Sequence, residues 1–426
     1  MGVATATFVE TFKARDWRYF DLQLLLYVVL LIGVGIVMGY SAGYNDPSAA
    51  AGMSQTTKTL IWASIGLTLF FVAASVDYHW LRTLTVPVYV VVLGLLALTM
   101  LFGTSLFGAQ MSVTVAGLDF QFSEVSKVLM IAVLGAYLAG RRERAGRLST
   151  ILVAGGLMAV PTLLVFFQPD LGTALVFVAI LAGMLFMGGA SLGWMALMAG
   201  GAIALAPVAV SQLHEYQQRR LFCFLDPYAD AQGACFQLVQ ALNAVGSGGW
   251  LGRGLTVGGE DQRGYIPVQS TDFIFTVVAE DLGFIGSVIV LALFGLLVWR
   301  VLLIGWQAGD AFGMMIAAGL ASVILFQLLV NVGMVIGVMP VTGIPLPFVT
   351  YGGSSLISLL FGIGGAILAA PTVAAGRDLY RYGFHRFGGR LPSEAFELAK
   401  HGARRPPAED EPPAAAPPPE AEASLA

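Results

Sequence analysis

Charge is scarce in this chain of 426 residues. Asp, Glu, Lys and Arg together make up 11% of it, against about 25% in a typical soluble domain. So few polar groups cannot cover a water-soluble fold of this length. Basic residues are not in excess either: 22 Lys and Arg stand against 26 Asp and Glu. Without a positive field there is nothing to hold a nucleic-acid backbone, which excludes nucleic acid as a partner. The four histidines, His79, His214, His385 and His401, are scattered. No Cys or His cluster has metal spacing, and neither a Walker phosphate loop nor a GxSxG elbow occurs. ATP-driven coupling and an organic cofactor are therefore not expected.

What is present is apolar. Hydrophobic residues make up 57% and the mean hydropathy is +0.80. Runs of about 20 apolar residues mark membrane helices. Ten are read, at 22–40, 59–76, 83–103, 122–140, 150–167, 172–190, 193–212, 273–304, 313–338 and 353–371. The expected fold class is an all-α polytopic membrane protein of about ten transmembrane helices, with one membrane domain over 22–372. The first run lacks a small-residue cleavage site and reads as an anchor, not a signal peptide. The run at 273–304 is long enough to tilt or to extend beyond the bilayer.

Orientation follows from Lys and Arg. With residues 1–21 in the cytoplasm, 16 basic residues fall inside and 5 outside, so both termini are expected to be cytoplasmic. Residues 213–272 then form a large extracytoplasmic loop between spans seven and eight. Its aromatics, paired arginines and glycines favour an ordered, functional loop. The segment 373–405 is basic and cytoplasmic, and 406–426, rich in Pro, Ala and Glu, is expected to be a disordered tail. The only cysteines, Cys223 and Cys235, lie in the outer loop. An oxidising compartment permits a disulfide, but spacing alone leaves a bridge and two free thiols equally open.

Ionisable groups in a membrane domain are costly, so each is a functional candidate. Glu124 and Lys127, in QFSEVSK, share one helix face. They either form a structural ion pair or line a polar cavity. Asp170, in QPDLGTA, either caps the sixth span or binds substrate or a cation. Asp272 ends the outer loop and begins the eighth span. It is either an N-cap or a partly desolvated base at the membrane boundary. The glycine-rich stretch 246–264 before it would let backbone pack closely on a ligand. Glu280, about 12 Å further along the helix, is expected to bond neighbouring helices. Arg219 and Arg220 break the positive-inside pattern and suit an anionic partner such as a lipid-linked diphosphate. Gln327 and Asn331 either glue helices or line a site. The segment 340–355, PVTGIPLPFVTYGGSS, contains Thr342 and Ser354. Its irregular backbone must be buried in protein or line a cavity.

Five strings occur in order: QPDLGTA, YQxxRxxxFLDP, STDFIFxxxAExLGFIG, QxxxNxGMxxGxMPVTGIPLPF and YGGSS. Together with ten spans they make this sequence similar to the SEDS family, the RodA/FtsW peptidoglycan glycosyltransferases of the bacterial cytoplasmic membrane, over roughly 20–372. The PVTGIPLPF wording is closer to the elongation branch, RodA. Val268 and Ser270 stand where the family has Glu and His, Phe122 replaces a Pro, and GAQMSV at 108–113 lacks the family's Arg and Trp.

The resemblance implies polymerisation of lipid II into glycan strands on the outer face during elongation, with inversion at the MurNAc anomeric carbon. It makes Asp272 the catalytic residue. Arg219, Arg220, Glu124, Lys127, Asp170, Gln327, Asn331, Thr342 and Ser354 become candidates for binding substrate. A divalent cation, Mg2+ or Mn2+, could assist. Lipid II, the lipid-linked strand and a class B penicillin-binding protein are the implied partners. A flippase for the lipid-linked precursor is the alternative, and the division branch FtsW has the same chemistry. A flippase needs polar groups near the midplane, whereas a transferase needs its acid at the outer surface.

Overall fold

The computed structural model describes residues 21–44, 55–75, 79–102, 104–106, 109–115, 118–257, 271–350 and 352–367. Most of the N-terminal segment 1–21, the loop part 258–270 with Val268 and Ser270, and both tail segments, 373–405 and 406–426, lie outside the described residues.

Every one of the ten apolar runs coincides with a helix: α1 Leu22–Ala42 and α2 Gln55–Ala73; then α4 Thr85–Phe102, which follows the short α3 His79–Thr83; α5 Phe122–Ala139; α6 Leu148–Phe167; α7 Leu171–Met187; and α8 Leu192–Ser211. The loop 213–272 adds α9 Glu215–Phe222 and α10 Phe236–Ser247, and α11 Ile274–Gln307, α12 Ala311–Val335 and α13 Gly353–Ile367 complete the series. Eight of these are long and apolar enough to cross a membrane by length and composition, while α7 and α13 are shorter apolar helices.

Among the described residues the fold is α-helical apart from one small sheet that the apolar pattern does not announce. Between α4 and α5, strands β1 Thr104–Leu106, β2 Ala109–Val115 and β3 Leu118–Phe120 pair antiparallel in the order β1-β2-β3. Ser105 pairs with Gln110 and Thr114 with Asp119. The alternation of AQMSVTV is the period-two signal of a strand.

Helix α12 is the centre of the bundle, packing on α5, α7, α10, α11 and α13. Small residues permit this. A Cβ on Gly319 would run into Ile131 of α5, and one on Gly305 of α11 would meet Ala317. Helix α8 is the opposite case: it touches mainly α7 and buries none of its side chains in the described structure.

The long eighth run is two helices, not one tilted helix. As a single rod, 34 residues would reach about 51 Å, well beyond a hydrocarbon core of about 30 Å. Gly283 breaks it, with φ +67 and ψ −165. The glycine-rich loop enters the break. The N–H groups of Arg253 and Gly254 donate to the carbonyls of Glu280 and Asp281, at 2.9 and 3.1 Å. The N–H groups of Phe284 and Ile285 donate to the carbonyls of Gly249 and Trp250, at 2.9 and 3.1 Å. Trp250 also packs edge-on against Phe284, with centroids 5.1 Å apart. Irregular backbone at this depth is satisfied by protein. The described part of the glycine stretch, 246–257, thus packs closely on backbone of this chain, where the sequence suggests a ligand.

Candidate functional site

The site lies at the end of the bundle where four connectors meet: the stretch before α5, the α6–α7 turn, the outer loop, and the α12–α13 segment. Each is held by specific bonds.

Asp170 is the N-cap of α7, its Oδ1 accepting from the N–H of Thr173 at 2.9 Å. The capping reading therefore holds, and the charge of the same residue also acts on Asp272. Gln121 ties this turn to α13: its side-chain amide donates to Asp170 Oδ2 at 3.4 Å, and its backbone N–H donates to Ser354 Oγ at 3.0 Å. The Gln217 amide of α9 donates to the carbonyl of Pro169 at 3.0 Å, which fastens the outer loop to the same turn. A Cβ on Gly172 would stand 2.6 Å from the carbonyl of Thr342, so α7 meets the α12–α13 segment backbone to backbone.

Asp272 sits just before α11, and Phe273, not Asp272, is the N-cap position. Asn331 of α12 holds the backbone here. Its Nδ2 donates to the carbonyls of Asp272 at 2.8 Å and Ile344 at 2.7 Å. Thr350 adds a second tie, accepting from the N–H of Leu346 at 2.7 Å and donating to the carbonyl of Thr271 at 3.1 Å. Gly343, with φ +71, lies against the Asp272 carboxylate. No side chain other than glycine adopts that φ without strain.

Burial pushes the Asp272 carboxyl up to about 6. The Arg220 guanidinium opposes the rise, the Asp170 charge adds to it, and a hydrogen bond with Thr271 lowers it. Burial likewise raises Asp170, against its bond to Thr173 and the charge of Lys127, while Glu124 adds to the rise. Asp272, Asp170, Arg220 and the Glu124–Lys127 pair therefore share one electrostatic neighbourhood.

Lys127 Nζ lies 2.6 Å from Glu124 Oε1, and both side chains are almost wholly buried. Among the described residues, the second carboxylate oxygen of Glu124 has no hydrogen-bond partner. Nor do Ser126 Oγ, both amide atoms of Gln327, Asn331 Oδ1 and Thr342 Oγ1. Buried polar atoms without partners are few in native proteins.

The two arginines diverge. Arg220 donates to Gln237 Oε1 of α10 at 3.2 Å and faces Asp272 electrostatically. Arg219 turns to solvent and pairs with Glu215 one turn earlier, at 2.6 Å. Cys223 and Cys235 are joined by a disulfide and both are buried, which closes the hairpin between α9 and α10. Glu280 accepts from Ser247 Oγ of α10 at 3.2 Å and lies 3.5 Å from Arg253, so it bonds a neighbouring helix as the sequence suggests. Among the described residues, no group of three or more His, Cys, Asp or Glu could hold a metal ion.

Sequence reasoning misses Gln121, Gln217 and Gly343. Gln217 lies inside a motif already singled out, YQQRR, and Gly343 inside PVTGIP. Gln121 likewise opens QFSEVSK, the string singled out for Glu124 and Lys127.

A bundle of apolar helices with carboxylates and a guanidinium gathered at one end defines a multi-pass membrane protein with a polar site at its edge. The chain belongs to the FtsW/RodA/SpoVE family, whose model, described as cell cycle protein, matches residues 22–371. Among curated relatives, the stage V sporulation protein E of Bacillus subtilis is 36% identical over 352 residues, covering 81% of this chain and 95% of that protein. The peptidoglycan glycosyltransferase MrdB of Escherichia coli is 34% identical, covering 82% and 93%. The peptidoglycan glycosyltransferase RodA of Treponema pallidum is 31% identical, covering 83% and 98%. Among solved structures, a chain of a peptidoglycan synthase complex that coordinates polymerization and crosslinking is similar at TM-score 0.70 and 31% identity, covering 83% of this chain and 98% of that one. RodA of Thermus thermophilus is similar at TM-score 0.62 and 28% identity, covering 83% and 97%.

Proposed function

We propose that this chain is a peptidoglycan glycosyltransferase that polymerises lipid II on the outer face of the cytoplasmic membrane during cell elongation. Its termini are cytoplasmic, and 213–272 is an extracytoplasmic loop. The observation that carries the reading is the carboxylate of Asp272 at one end of the bundle, raised to about 6 by burial and acted on by the charges of Arg220 and Asp170.

The acceptor is the 4-hydroxyl of GlcNAc in one lipid II. It attacks the anomeric carbon of MurNAc in the lipid-linked strand. A C–O bond forms, the C–O bond to the diphosphate breaks, and the configuration inverts. Asp272 takes the hydroxyl proton. A value near 6 leaves it ionised at neutral pH yet more basic than an ordinary carboxylate, and a positioned base is worth about 10²–10⁴ in rate. Arg220 stands beside the base and stabilises the departing diphosphate. Arg219, at the exposed face of α9, meets the diphosphate or its lipid during entry. Asn331, Thr342 and Ser354 shape the walls, and Gln327 with the Glu124–Lys127 pair forms the polar floor.

A divalent cation, Mg2+ or Mn2+, fits only as a companion of the diphosphate. Mg2+ is commonly held by one or two carboxylates plus substrate phosphates, and Asp170 and Asp272 are the carboxylates available. When bound it would neutralise diphosphate charge. A class B penicillin-binding protein that crosslinks the strands is the expected partner.

The test is lipid II polymerisation in detergent by purified protein with its penicillin-binding partner, wild type beside Asp272→Ala. Glycan strands from wild type alone are expected. Strands from both would move the base elsewhere. Strands from neither, with lipid II translocation by wild type, would favour a flippase.

A further inference from the structure

We propose that the opposite end of the bundle carries a binding site for the headgroup of an anionic phospholipid. Helix α5 begins at the catalytic end, with Glu124, and finishes about 27 Å away at 1.5 Å per residue. There, between α3, α4, α5 and α6, lies a cavity of about 370 Å³. A single water needs only about 15 Å³, so the space takes a larger group.

Two guanidinium groups line it, from Arg82 of α3 and from Arg141 just after α5. Among the described residues neither has a carboxylate partner. Two like charges on one cavity with no counter-charge are matched by an anion. Arg141 lies over the ring of Tyr137, 4.2 Å from its centroid. Stacking fixes the plane of the guanidinium and leaves its N–H edge for a phosphate, which it grips in a bidentate fork. Tyr89, whose hydroxyl donates to the carbonyl of Leu157 at 3.1 Å, closes the inner wall. The adjoining connector adds Arg142, Arg144 and Arg147, all exposed.

The rest of the lining is apolar, and it leads outward. Val86 borders the cavity and is 72% exposed; Val90 continues the same face of α4 at 62%. Exposed Leu152 and Val153 of α6 also stand at this end. A soluble phosphate would use the arginines alone. A phospholipid uses both the arginines and the apolar face that opens towards the bilayer. Basic pockets between membrane helices recognise anionic headgroups in this way.

The experiment is native mass spectrometry of the full chain in non-ionic detergent with equal phosphatidylglycerol and phosphatidylcholine. Wild type is compared with R82Q, R82Q/R141Q and A136F. Arg82 is exposed on a five-residue helix, so R82Q leaves the fold in place. A136F fills the cavity and keeps both charges. Two basic residues at a headgroup are worth a preference of roughly tenfold or more. Wild type is expected to retain phosphatidylglycerol over phosphatidylcholine by that margin, R82Q to lose part of it, and the other two variants most of it. Unchanged retention in R82Q/R141Q or in A136F overturns the site. A parallel thermal-shift series with glycerol 3-phosphate and short-chain phosphatidylglycerol separates the sources. Stabilisation by the lipid alone supports the proposal, and equal stabilisation by both overturns the lipid assignment in favour of a free phosphate.

Discussion

A Cβ placed on Gly343 would stand 3.2 Å from Oδ2 of Asp272, so the α12–α13 segment meets the carboxylate through bare backbone. Gly343→Ala adds both strain at φ +71 and crowding of the Asp272 carboxylate. Displacing a reacting group by about 1 Å can cost 10²-fold in rate. The expected result is a loss of that order in kcat for lipid II polymerisation, with a smaller change in KM. Wild-type turnover in this variant would remove Gly343 from the site.

With Asp272 as the proposed base, active only when ionised, kcat/KM should rise through about pH 6 and level off above it. Arg220 holds its value down, so Arg220→Gln should move the acid limb to higher pH; Asp170 pushes it up, so Asp170→Asn should move the limb lower. The stability effect has the opposite sense. A folded value raised above 3.8 means that the native state holds the proton longer than the unfolded chain. The Asp272 contribution to stability therefore falls as pH rises between those two values. Asp272→Asn should melt no lower than wild type at pH 7 while losing activity. An acid limb that stays put in Arg220→Gln argues against the coupling.

Asn331 holds two carbonyls with one amide group. Asn331→Leu keeps the volume and leaves both carbonyls unpaired, at about 1–3 kcal/mol each. A lower melting temperature together with reduced kcat is expected. A fall in activity with unchanged melting would instead point to direct contact with substrate.

The disulfide closes a short loop, Cys223 to Cys235. Loops of about 15 residues gain about 3 kcal/mol from such a link. Cys223→Ser/Cys235→Ser, or reductant, should speed hydrogen exchange in α9 and α10 while leaving α12 protected. Slower polymerisation should accompany it, because α9 carries Arg220. Unchanged exchange in α9 would show that Gln217 and the helix contacts suffice.

All ten apolar helices are legible in the sequence because each run is long and carries few charges or none. The polar residues inside them, Glu124 with Lys127 and Gln327 with Asn331, are equally visible against that background. The break at Gly283 is not. A single glycine in a continuous apolar run looks like any tolerated helical glycine, and what opens the helix is backbone arriving from residues 249–254. The short sheet escapes notice because its three strands are too brief to outweigh the neighbouring spans. Arg219 and Arg220 are indistinguishable in the string QQRR; only the rotation of α9 sends one to Glu215 and the other towards Asp272. Spacing could not decide the cysteine pair, since a bridge depends on the fold of the hairpin that carries it.

The break at Gly283 also sets the unit in which this protein can be exchanged with its relatives. Four backbone bonds join residues 249–254 to the two sides of the break. Transplanting the outer loop without them would leave four backbone groups bare in an apolar surrounding. Two of these bonds reach Glu280 and Asp281 and two reach Phe284 and Ile285, so an exchange unit that keeps all four runs from the loop past Ile285. A chimera cut beyond Ile285 should therefore assemble, whereas one cut at the start of α11 or at Gly283 should not.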